Sequence, residues 1–172
     1  QLALIKEMLP NAKNVGILYN TGEINSIVQV DIAKEEASKI GLTIIEQGIT
    51  QPSDIEIATQ QLADKVDAIY NITDNMVVTA TAQVSSIAAK VKVPVFAAEV
   101  GQLESGILAT DSIDYYNLGV LGGETVVEIL VGGKKPKDIP VKTVTETILY
   151  INEDVAESLG IELVQSVVER AQ

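Results

Sequence analysis

Six apolar runs enriched in β-branched residues recur along the chain: NVGILYN (14–20), LTIIEQGI (42–49), VDAIYNIT (66–73), VPVFAAE (93–99), GILATDSI (106–113) and ETILYIN (146–152). Each is shorter than an ordinary helix and is bounded by turn-forming residues, so each reads as a strand. Segments of helical period lie between them, at 25–40 before Gly41, 52–64 opened by PSDI, 75–91 before VKVP, and 115–131 before Gly132 and Gly133. That alternation leaves few architectures open. The first four strands are apolar nearly throughout, as strands are when helices cover both faces of a sheet. The expected fold class is α/β, a doubly wound and mostly parallel sheet of about five to six strands.

The last forty or so residues break this rhythm. GGKKPKDIPVKTVTETILYIN is a turn-rich, basic connector leading to a strand, and NEDVAESLGI after it reads as a short closing helix. The expected organisation is one α/β lobe over 1–172, with residues 1–114 as its core and 115–172 as a C-terminal helix, connector and closing strand and helix. The opening QLALIKEMLP carries neither an initiator Met nor a signal region and reads as a helix already under way, which suits a fragment or processed form.

Charge and residue usage narrow the chemistry. Twelve Lys and Arg against 24 Asp and Glu give a net charge of −12, which repels a polyanion, so nucleic acid is not an expected partner. The KKPK run (134–137) reads as a solvated loop. Cys and His are both absent. Thiolate nucleophiles, Ser-His-Asp triads and His- or Cys-ligated zinc are thereby excluded. No residue is assigned a catalytic or metal-binding role, no cofactor is called for, and the chain is read as something other than an enzyme.

In an open parallel sheet, ligands bind beyond the carboxyl ends of the strands, where loops meet helix N-termini. That rule selects Asn20, Thr21, Glu23, Asn25 and Ser26 after the first strand, Thr50 and Ser53 after the second, Thr73, Asp74 and Asn75 after the third, and Glu99 after the fourth. Asn25 or Ser26 is the expected helix N-cap, and the first-turn amides beyond it favour an anion such as a carboxylate. Asp74 has two readings, acceptor for a ligand ammonium or cap of the next helix. Glu23, Asp74 and Glu99 reaching one rim point to a site for a cationic or zwitterionic group. Tyr115 and Tyr116 open a helix and are expected to pack.

YNTGEINS (19–26) loosely resembles the phosphate loop of flavodoxins, and the fold class also admits a receiver-like domain. Glu23 would repel a phosphate, the chain has no Trp, and the first strand ends in Asn20 rather than in an acidic cluster. A flavodoxin-like or receiver-like single domain is therefore the alternative, not the main reading.

A closer resemblance covers nearly the whole chain, in order. LIKEMLPNAKNVGILYNTGEINS, KVDAIYNITDNMVV, VPVFAAEVGQLESGILATDSIDYYNLG and INEDVAESLGI together resemble the ABC-transporter substrate-binding proteins of the tryptophan/aromatic amino acid type. The resemblance implies the second, flavodoxin-like lobe of a type I periplasmic binding protein, with the first lobe outside these residues. It implies an amino acid such as tryptophan as ligand, held by Asn20, Glu23, Asn25, Ser26, Thr73, Asp74 and Asn75, to which the strand-end rule adds Glu99. Glu99 departs from the smaller residues of that pattern, which leaves the ligand open. An ABC permease is the implied partner, and the implied location is extracytoplasmic, with a lipoprotein anchor ahead of Gln1. The DYYNLG helix would return to the first lobe, or in a fragment fold back or swap into a homodimer.

Overall fold

The computed structural model describes residues 1–172, and all six strands form: β1 (Asn14–Asn20), β2 (Thr43–Ile49), β3 (Ala68–Asn71), β4 (Val95–Ala97), β5 (Ala109–Ile113) and β6 (Thr147–Ile151). They make one sheet in the order β2-β1-β3-β4-β5-β6. The pairs β1–β2, β1–β3, β3–β4 and β4–β5 are parallel. The helices are α1 (Leu2–Met8), α2 (Ile24–Lys39), α3 (Ile55–Ala63), α4 (Asn75–Thr79), α5 (Thr81–Lys90), α6 (Tyr115–Leu130), α7 (Glu153–Leu159) and α8 (Gln165–Val168).

Alternation along each strand sorts its side chains between two faces. In β1, Leu18 joins a core cluster with Ile55 and Leu62 of α3 and Val84 of α5. Val15 points the other way, into a cluster with Ile5 and Met8 of α1, Phe96 of β4, Ala156 of α7 and Val167 of α8. Ile17 joins Val30 and Ala33 of α2. Helices therefore cover both faces, as the apolar runs require. Gly16 is set by packing, since a Cβ there would lie 2.8 Å from Leu62 Cγ. The sheet and α3 close to that distance only because the side chain is missing.

Helix ends follow local chemistry. α2 stops where Gly41 takes a left-handed φ of 72° and the Leu42 amide donates back to Ala37 O at 2.9 Å, a closure that needs little but a glycine at that turn. The single helix expected over 75–91 is instead two, α4 and α5, broken at Ala80. Thr81 Oγ1 donates to Val78 O at 2.9 Å and competes with the helical ladder there. The Gln83 and Val84 amides then restart the helix on Ala80 O.

The chain divides into two compact units, Gln1–Asp111 with Leu149–Gln172, and Ser112–Ile148. Within the first, the Gln1 carboxamide donates to Asp111 O at 2.9 Å and accepts from Asp111 N at 3.2 Å. In the second, Lys134 and Lys142 both pair with Glu128, at 2.8 and 2.6 Å, and hold its carboxyl down at about 2. α6 contains no buried residue, and Tyr115 and Tyr116, expected to pack, are exposed. No helix is long and apolar enough to cross a membrane.

Candidate functional site

The strand order places β1 between β2 and β3, so the chain leaves β1 toward one side and comes back to β3 on the other. The connections following β1 and β3 diverge at that point, and in sheets of this order the crevice between them is where ligands bind. The loops carrying Asn20–Ser26 and Thr73–Asn75 meet there.

They are joined by one carboxylate. Asp74 is fully buried and is the N-cap of α4, its Oδ1 accepting from the Met76 and Val77 amides at 3.0 Å each. Its Oδ2 accepts from the Asn20 amide and from Ser26 Oγ, both at 2.7 Å. Four donors fill the acceptor sites a carboxylate offers. Of the two readings of Asp74, this geometry is that of the cap, extended into a tie between the two loops. Contact with a ligand ammonium has no acceptor site left to use.

Glu23 is placed differently. It is the N-cap residue of α2, in extended conformation, and its side chain does not cap that helix. This corrects the expectation that Asn25 or Ser26 would be the cap: both lie inside the first turn, and Ser26 spends its hydroxyl on Asp74. The Glu23 carboxylate reaches across the crevice instead. Its Oε2 accepts from Asn75 Nδ2 at 3.0 Å and from the Asn75 amide at 3.4 Å, and its Oε1 from Asn20 Nδ2 at 3.2 Å. Asn20 Oδ1 in turn accepts from the Gly22 amide at 2.9 Å and shapes the turn.

Asn25 and Thr73 close the other side, with Asn25 Nδ2 donating to Thr73 O at 3.2 Å. Gln29, one helical turn after Asn25, clamps the same residue: its Oε1 accepts from Thr73 N and Thr73 Oγ1, at 3.1 and 2.6 Å, while its Nε2 donates to Thr73 O. Seven of the eight expected site residues thus gather at the crevice in two hydrogen-bonded groups, Asn20, Glu23, Ser26, Asp74 and Asn75 in one and Asn25 with Thr73 in the other. The eighth, Glu99, follows β4 on the same edge of the sheet, at the head of a 3-10 turn, and is half-buried.

Sequence reasoning missed Gln29, although its i+4 spacing from Asn25 puts both on one helix face. It also missed a layer of buried amides behind the rim. Asn71, the last residue of β3, donates to Gln102 Oε1 at 3.3 Å, and Thr81 Oγ1 lies 2.7 Å from the same oxygen. Asn71 Oδ1 and Gln102 Nε2 find no partner within the chain. No group of three Asp, Glu, His or Cys gathers as metal ligands do.

Residues 1–172 match the sequence profile described as ABC transporter substrate binding protein. The chain belongs to that family. The family is a class of binding proteins rather than of enzymes, which displaces the flavodoxin-like and receiver-like alternatives. A tyrosine-binding protein of Clostridioides difficile is 41% identical over 161 residues, covering 94% of this chain and 46% of that protein. Among solved structures, a conserved domain protein from Vibrio cholerae superposes with a TM-score of 0.91 at 37% identity, over 99% of this chain and 57% of that one. The ABC domain from Streptococcus pneumoniae in complex with L-Trp gives 0.90 at 34% identity, over 99% of this chain and 58% of that one. The family member described here spans about half the length of the relatives it matches. Periplasmic sugar-binding proteins share the fold at lower identity, the ribose ABC transporter protein of Conexibacter woesei among them, with a TM-score of 0.61.

Proposed function

We propose that this chain is one lobe of the solute-binding component of an ABC import system, and that it holds an amino acid, aromatic by analogy with its relatives, at the rim between β1 and β3. The observation that carries the reading is the gathering of Asn20, Glu23, Asn25, Ser26, Thr73, Asp74 and Asn75, through hydrogen bonds between the two loops, at the switch point of the sheet. Glu99 adds a further polar group on the same edge. Asp74 and Ser26 fix the geometry from below, while Asn20, Glu23, Asn25, Thr73 and Asn75 face the ligand. A relative named for tyrosine and another in complex with L-Trp point to the ligand class.

A single rim leaves much of a small ligand in water, and tight capture needs burial on most sides. The opposite wall belongs to a companion lobe outside residues 1–172, which α6 and its connector meet. Without that lobe, the same apolar helix is available to a second copy of the chain. The loaded protein hands its cargo to an ABC permease on the outer side of the cytoplasmic membrane, held there by a lipid anchor ahead of Gln1.

Calorimetry tests this. The full-length protein is expected to bind L-tyrosine or L-tryptophan at least about a hundredfold more tightly than residues 1–172 alone, because the lone lobe loses half of the enclosing surface. Equal affinity in the two forms would refute the half-site.

A further inference from the structure

We propose that Glu23, and not Asp74, is the carboxylate that receives the ammonium group of the bound amino acid, an assignment that rests on the reading of the rim given above. The two acids differ in how fully the fold uses them. Asp74 is buried, and four donors at 2.7 to 3.0 Å saturate it. Glu23 is only half-buried and holds three neutral donors at 3.0 to 3.4 Å. Bonds from an ammonium to a carboxylate run at about 2.7 to 2.9 Å, so the shell around Glu23 is longer than the one a cation would make. No lysine or arginine pairs with Glu23 or Asp74. Asp74 has its charge met by four converging dipoles, whereas that of Glu23 is met by three longer contacts from its two flanks.

The direction of the Glu23 side chain adds a second reason. A residue at the N-cap ordinarily turns its oxygen back onto the first-turn amides, but Glu23 leaves its own helix uncapped and spans the crevice to Asn75. Its carboxylate is held over the point where β1 and β3 part, supported by Asn20 on one flank and Asn75 on the other. An ammonium placed there gains an ionised acceptor and displaces only long neutral contacts. A ligand carboxylate at the same spot would face two acids and no cation. This lobe therefore selects for the amino group, and the ligand's own carboxylate is left to donors away from this pair.

Removing a single charge from either side of the contact provides the test. The full-length protein and its Glu23→Gln variant are titrated calorimetrically with L-tryptophan and L-tyrosine, and with indole-3-propanoate and 3-(4-hydroxyphenyl)propanoate, which lack only the ammonium. Glu23→Gln is expected to weaken the amino acids about 10- to 100-fold, the range for a hydrogen bond to a charged group, and to leave the desamino acids unchanged or slightly tighter. Its melting temperature should match the parent. Asp74→Asn, in contrast, should lower the melting temperature and weaken both ligand classes alike. Equal losses for both classes in Glu23→Gln, or no loss in either, would overturn the assignment while the binding function stands, as would a loss in Asp74→Asn confined to the amino acids. A parent protein that binds none of the four compounds would overturn the assignment and the proposed function together.

Discussion

Asp74 shows how one buried carboxylate sets the geometry of two loops at once. Asp74→Ala would strip partners from the Asn20 amide, the Ser26 hydroxyl and the first turn of α4 together. The expected loss of stability is about 3 kcal/mol, a cap plus unsatisfied buried donors, measured as a shift in the urea midpoint. Tyr70 provides a different handle. Burial pushes its phenol up to about 12 from the ordinary 10.0. A raised folded value means that the unfolded chain releases the proton first, so this contribution is whole below about pH 10 and is lost as pH rises toward 12. Tyr70→Phe should flatten the fall in urea stability across that window. At this scale the sequence is half legible. Asp and Asn after a strand announce a cap, and Asp74, Asp114 and Asn152 each supply one. Glu23 is legible as a strand-end carboxylate but not as the N-cap residue, because Glu is a poor N-cap and its position is set by the Asn20 turn. Gln29 is silent for a related reason: a mid-helix Gln is ordinary until the loop it clamps is brought to it from 44 residues away.

Among the elements, β1 and α3 approach closely at Gly16. Leu62 is buried within the core cluster and cannot swing aside, so the Cβ of a Gly16→Ala variant would press on it at 2.8 Å. Destabilisation of about 1 to 3 kcal/mol is expected from such overpacking, and a Gly16→Ala, Leu62→Ala double variant should recover part of the Gly16→Ala penalty relative to Leu62→Ala alone. Chemical denaturation of the four corner proteins checks this. The strands were readable to within a few residues because apolar runs bounded by turns admit little else. The break between α4 and α5 was not, since 79–81 is Thr-Ala-Thr and carries no Gly or Pro. It arises from a hydroxyl bonding back to the main chain, and helical periodicity does not register that.

For the whole molecule, the informative feature is that the excursion 112–148 leaves through β5 and returns through β6, which are neighbours in the sheet. The Asn152 amide donates to Leu108 O at 2.8 Å across that pair. A chain with 112–148 replaced by a short glycine-containing turn of about four residues should still unfold cooperatively in urea, because loop closure between adjacent strands is inexpensive. A broad or absent transition would show that the sheet depends on the excursion. The excursion itself carries much exposed apolar surface, with Tyr116, Leu130 and Val131 at 79%, 77% and 81% exposure. The helix was legible and the family resemblance sent it to a lobe outside these residues, whereas its hydrophobicity alone does not say which polypeptide supplies the other side. The Gln1 carboxamide, meanwhile, grips the main chain at Asp111 through two reciprocal bonds. Gln1 and the residue just ahead of Ser112 are therefore stitched together at one corner of the unit that carries the sheet.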